Sequence, residues 1–172
     1  MKREWNILTR YIIALIIALP NLFLFYFIFT PLTIYPVFFL LSLIYNISLF
    51  GNILLINSFK ITLVEACIAG SAYYLLIALN LTTPMQAKKR IYSLIFLLFT
   101  FLLVNIVRIF LFTVLLLNSF SLFNLTHLFF WYVLSTLIVV VIWLINIKLF
   151  NIKEIPVYSD LNYIVKLIKK RN

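Results

Sequence analysis

Between its charged and turn-forming residues the chain runs apolar for about twenty residues at a time, over 11–30, 33–50, 64–82, 91–115 and 127–147. A helix of that length crosses the hydrocarbon layer of a bilayer, where every backbone amide has to be paired within its own segment. These runs therefore predict an all-α fold, a multi-pass transmembrane bundle of about five spans. Composition agrees: 66% of residues are hydrophobic, 10% are charged and the mean hydropathy is +1.18, outside the range of soluble domains. Residues 1–150 are assigned to the bundle and 151–172 to a basic cytoplasmic tail, with no room for a separate soluble domain. The first run is too long for the apolar core of a signal peptide and reads as a retained helix.

The net charge of +10 sits at the ends of the apolar runs, which is the signature of membrane orientation and not of nucleic-acid binding. Placing Lys88, Lys89 and Arg90 in the cytoplasm brings Lys148, Lys153, Lys166, Lys169, Lys170 and Arg171 to the same side, against Lys2, Arg3, Arg10 and Lys60 outside. Five crossings then put the N-terminus outside, which its own three cations resist; a re-entrant first segment would keep it inside. Two β-rich runs in "GNILLINSFKITLV", around Asn57 and Ser58, predict a short hairpin at the outer surface, with extension of the flanking helices as the alternative. At the other end Ser159 or Asp160 can cap an amphipathic helix with Leu161, Ile164, Val165 and Ile168 on one face, an interfacial anchor on the anionic leaflet. Tyr11, Tyr26, Trp131 and Tyr132, near helix ends, fit an aromatic belt.

Only Glu65 and Arg108 place charge well inside the apolar runs, at a cost of at least about 2.5 kcal/mol each unless paired or wetted. Arg108 lies about 27 Å along its helix from Arg90, Cys67 about 25 Å from Pro84, and His127 about 31 Å from Lys148. The sole cysteine, the sole histidine and this arginine thus reach similar depth near the outer interface on three different helices. Asn105 shares a face with Arg108 and offers an amide beside the guanidinium. Near the start of its helix, Cys67 meets unpaired amides that favour a thiolate, as the arginine does, whereas apolar burial opposes it. Histidine suits the proton transfers that a nucleophilic thiol requires. Structural readings compete at each position: Cys67 as an apolar filler, His127 as an interfacial polar residue, and Arg108 with Glu65 as an ion pair in a non-enzymatic transporter subunit or assembly factor. One His, one Cys and one nearby Glu are too few for a metal site, and no cofactor is expected.

"VEAC" at a helix start, "NIVRI" near the outer end of the next helix, and the histidine opening the helix after it resemble the exosortase and archaeosortase family of membrane cysteine transpeptidases. The resemblance covers about residues 33–147, and in its short length the chain resembles the compact archaeal members. It implies Cys67, Arg108 and His127 as the catalytic set. Glu65, Asn105, Gly70 and Ser71 are assigned to support. Where family members often carry Ser-Gly or Thr-Gly directly after the cysteine, this chain has Ile68 and Ala69 before Gly70 and Ser71. The implied activity is cleavage of a C-terminal sorting signal on a membrane-anchored protein and transfer of the new carboxyl end to an acceptor, with a membrane lipid as the expected one. The implied location is the plasma membrane, with the active site on the extracytoplasmic side.

Overall fold

The computed structural model describes residues 2–19, 22–56, 59–118 and 121–171. Helices dominate it: α1 (Lys2–Ala18), α2 (Phe23–Ser42), a one-turn α3 (Glu65–Ile68), α4 (Gly70–Thr82), α5 (Ala87–Leu117), α6 (Phe123–Phe129), α7 (Ser135–Leu149) and α8 (Tyr158–Arg171). A π-helical turn (Phe130–Leu134) joins α6 to α7, and three short strands, β1 (Ile47–Phe50), β2 (Ile53–Ile56) and β3 (Phe59–Thr62), link α2 to α3. The fold is the expected helical membrane bundle.

Among the described residues four segments, not five, are long and apolar enough to span: Phe23–Ser42, Glu65–Thr82, Ala87–Leu117 and Leu125–Leu149. The expected runs 11–30 and 33–50 are redistributed. Helix α1 stops at Ala18, Leu22 takes the left-handed conformation, and α2 continues straight through Pro31 and Pro36. Each proline costs α2 one hydrogen bond, a loss that packed membrane helices accommodate. Residues 47–50 leave the helix because Gly51, at φ 60°, and Asn52 form a two-residue turn that pairs Phe50 with Ile53. The hairpin expected around Asn57 and Ser58 is β2–β3, although those two residues lie outside the described ones. With β1 it makes an antiparallel sheet in the order β1-β2-β3, whose inner face buries Leu54 and Ile56 against the bundle.

The first and last helices meet at one end of the bundle. The Arg10 guanidinium donates to the Leu81 carbonyl at 3.3 Å and to the Asp160 carboxylate at 2.7 Å, tying α1 and α8 to the foot of α4. Arg90 covers the last carbonyls of α4 at Asn80, Leu81 and Thr83, a favourable place for a cation. Lys88, Lys89, Lys148 and α8 share this basic end, where Lys89 donates to the Asn151 carbonyl. The expectation of termini at opposite ends of the bundle is therefore corrected. Asp160 does not cap α8: it is buried in the first turn and bonded to Arg10, while the Ser159 hydroxyl accepts from the Ile155 amide. Leu161, Ile164, Val165 and Ile168 remain exposed along one side of α8, as an interfacial helix requires.

The core is aromatic where α2, α4 and α5 cross. Tyr73 stacks on Phe29 with ring centroids 3.6 Å apart and meets Phe101 edge-on at 4.8 Å. Nearer the basic end, the Asn80 amide donates to the Ser93 hydroxyl at 2.8 Å, and that hydroxyl donates to the Asn146 carbonyl oxygen at 2.9 Å. This buried chain of polar side chains fixes α4, α5 and α7 in register, and so fixes how their far ends meet.

Candidate active site

The far ends of α4, α5 and α7 frame a cavity of about 610 Å³, on the side of the bundle away from the basic end. Cys67, Arg108 and His127 all line it, as do Glu65 and Ser71. Most of its wall is apolar, from Leu63, Leu75, Ile109, Phe112, Leu116 and Val139. An arginine in such a wall needs fixed partners, and Arg108 has them. It donates to the Ser135 hydroxyl at 3.0 Å and leans on the Cys67 carbonyl oxygen at 3.5 Å. Two of the five guanidinium N–H groups are thereby used, which leaves others for a ligand. Among the described residues no ion pair joins Arg108 to Glu65, although both face the cavity.

The backbone carrying Cys67 is unlike the continuous helix expected over 64–82. The one-turn α3 ends at Ala69, whose φ of 59° and ψ of 45° place a non-glycine residue in the left-handed region, and α4 starts afresh at Gly70. That break turns the last carbonyls of α3 away from α4, and Asn105 meets them. Its side-chain amide donates to the carbonyl oxygens of Cys67 and Ile68 at 3.0 and 3.3 Å. Asn105 is thus a buried clamp behind the cysteine and not a second donor in the cavity beside Arg108. The Cys67 amide is likewise engaged, donating to the Val64 carbonyl at 2.8 Å. The expected cluster of unpaired amides around the thiol is correspondingly reduced, which leaves Arg108 as the main cation beside Cys67.

Gly70 has its own constraint. A Cβ there would stand 2.8 Å from Cε1 and 2.9 Å from Cζ of Tyr26, so the absence of a side chain lets α2 close against the start of α4. Tyr26 consequently lines the cavity wall. The side chain of Trp131 lies outside the described residues.

His127 is seated by two rings, stacked on Phe123 at 5.6 Å and edge-on to Phe112 at 5.3 Å. It falls in the last turn of α6, just before the π-helical turn. That wider turn lets the chain pass from the cavity rim into α7, where Ser135 reaches back to Arg108. Ser135 was not singled out from the sequence, and Tyr26 was read there only as an aromatic-belt residue. A hydroxyl in the apolar run "YVLSTLIVV" was the available signal for the first.

Among the described residues no group of three or more His, Cys, Asp or Glu could hold a metal ion. The arrangement offers a thiol, a fixed guanidinium and an imidazole around an apolar chamber. Comparison of the chain with protein families, with characterised proteins and with solved structures finds no match.

Proposed function

We propose that the protein is a membrane-embedded cysteine transpeptidase that cleaves C-terminal sorting signals of membrane-anchored proteins and transfers the new carboxyl end to an acceptor, a membrane lipid. One observation carries this reading: the sole cysteine, the partly buried Arg108 and the sole histidine, from three separate helical segments, line a single cavity. With the basic end in the cytoplasm, as the positive-inside rule favours, that cavity opens toward the extracytoplasmic side of the plasma membrane. A scissile bond just outside a substrate's own transmembrane helix would lie at the same level.

The Cys67 thiolate attacks the peptide carbonyl, and Arg108 stabilises first the thiolate and then the oxyanion. His127 holds the thiol proton and passes it to the departing amine as the C–N bond breaks, leaving a thioester on Cys67. An acceptor hydroxyl or amine then attacks the thioester. His127 takes the proton of that group, the C–S bond breaks, and Cys67 leaves as the thiolate. Where no acceptor is bound, water completes the cycle as hydrolysis. Asn105 and Gly70 act behind this chemistry, holding the cysteine turn. Ser71 and Glu65 shape the cavity mouth.

Cells carrying a tagged substrate test the assignment through Cys67→Ala and Cys67→Ser. Both variants are expected to accumulate unprocessed substrate, and normal processing in both would end it. An impermeant maleimide supplies a second check. It is expected to reach Cys67 from outside the cell, and labelling from the cytoplasmic side alone would remove the sorting role along with the orientation.

A further inference from the structure

The sheet beside the cavity has one edge that leads straight to the cysteine. Strand β3 is the last in the order β1-β2-β3, and among the described residues no strand pairs with its outer side. Its C-terminal half, Ile61 and Thr62, and the following Leu63 and Val64 line the same cavity as Cys67. The register decides which main-chain groups this edge presents. Thr62 lies opposite Ile53 and Ile61 opposite Leu54, and the Leu63 amide donates to the Asn52 carbonyl at 2.9 Å. Antiparallel pairs alternate between bonded and non-bonded positions. Leu63, Ile61 and Phe59 thus spend their main-chain groups on β2, whereas Lys60 and Thr62 point theirs outward. Both of these residues are exposed. An open strand edge is a ready template for pairing with another backbone.

We propose that an extended peptide segment docks as a fourth strand along β3, pairing its main chain with the outward N–H and C=O groups of Lys60 and Thr62 and running on into the cavity at Cys67. The occupant is a peptide and not a lipid chain, because what the edge offers is a ladder of alternating donors and acceptors, which only another backbone can match along its length. Continuity of β3 with the cavity wall sets the placement. This inference rests on the peptide-processing reading and adds to it how the substrate is held: recognition of the main chain by β3, with side-chain selectivity left to the apolar cavity.

The test uses the full-length Cys67→Ala protein in lipid nanodiscs, so that no chemistry is required, and a hexapeptide library bearing one photo-leucine. Crosslinks mapped by mass spectrometry are expected on residues 59–64. N-methylation at every second peptide amide is expected to lower their yield roughly fivefold to tenfold in one phase of the alternation and little in the other. Lys60→Pro and Thr62→Pro each remove an outward N–H that β2 does not use, and are expected to weaken crosslinking similarly; the N-methylated probes give the same information on an unaltered strand. Crosslinks elsewhere, or yields indifferent to both N-methylation phases, overturn the docking mode. The two readings fail separately. β3 crosslinks alongside normal processing by Cys67→Ala would leave a peptide site without the enzyme, and blocked processing without β3 crosslinks would leave the enzyme with another way of holding substrate.

Discussion

The side-chain amide of Asn105 on α5 holds the carbonyl oxygens of Cys67 and Ile68, at 3.0 and 3.3 Å, so the cysteine turn is fastened to the neighbouring helix from behind. The clamp exists because α3 ends after one turn. Carbonyls that a continuous helix would have paired internally are left open, and in a buried setting each needs a donor. An asparagine amide supplies two N–H groups and satisfies both.

Replacing Asn105 by Ala takes the side-chain donor from the Ile68 carbonyl and leaves the Cys67 carbonyl only its longer contact with Arg108, and is expected to cost about 1–3 kcal/mol. Asn105→Asp is expected to be worse, since a carboxylate facing two carbonyl oxygens repels them. Thermal aggregation midpoints in detergent should fall in the order wild type, Ala, Asp, with substrate processing falling in parallel.

Ala69 and Gly70 make opposite demands on the turn between α3 and α4. Ala69 sits at a φ of 59°, where a Cβ costs roughly 1–2 kcal/mol, so Ala69→Gly is expected to raise the midpoint. Gly70→Ala drives a Cβ into the Tyr26 ring and is expected to lower stability by about 1–3 kcal/mol. In a double-mutant cycle Tyr26→Leu should recover part of the Gly70→Ala loss, because the atoms in collision belong to that ring. Equal losses with tyrosine or leucine at position 26 would place the cause elsewhere.

These neighbours also show what the sequence can and cannot convey. The spans over 91–115 and 64–82, and the shared depth of Cys67, Arg108 and His127, follow from counting residues between charges, because helical rise is uniform. The fate of residues 47–50 was harder to read. An apolar stretch of four residues fits a helix or a strand equally well, and only the Gly51–Asn52 pair hinted at the turn that made it a strand. The prolines misled in a different way. The break expected between the runs 11–30 and 33–50 falls at Pro31, yet α2 passes through both Pro31 and Pro36, since packing in a membrane bundle outweighs a lost hydrogen bond. The roles of Asn105 and Ser135 depend on which faces meet across helices, which no periodicity within one helix reveals.

Arg108 is gripped by the Ser135 hydroxyl on one side and the Cys67 carbonyl on the other, so its geometry matters as well as its charge. Arg108→Lys keeps the charge but has no planar fork with which to span both partners and still face the cavity. Processing is expected to fall at least about a hundredfold in Arg108→Lys and in Arg108→Gln alike. Ser135→Ala removes one anchor and is expected to cost severalfold only. Lysine retaining near wild-type rates would show that charge alone suffices.

The Arg10–Asp160 pair joins the first helix to the last across 150 residues of chain, and its consequence is topological. Asp160 is buried at 2% exposure while Arg10 keeps some contact with solvent. Removing the arginine therefore strands a buried carboxylate, a loss of up to about 3–5 kcal/mol. Arg10→Ala is expected to destabilise more than Arg10→Ala combined with Asp160→Asn, which leaves no uncompensated charge. Because this contact holds α1 and α8 at one end of the bundle, epitope tags at the two termini should be reached from the same side of the membrane. With the basic end in the cytoplasm, both tags should resist protease in intact cells and be cleaved only after permeabilisation. Cleavage of the N-terminal tag alone in intact cells would restore a fifth crossing and contradict the Arg10–Asp160 contact.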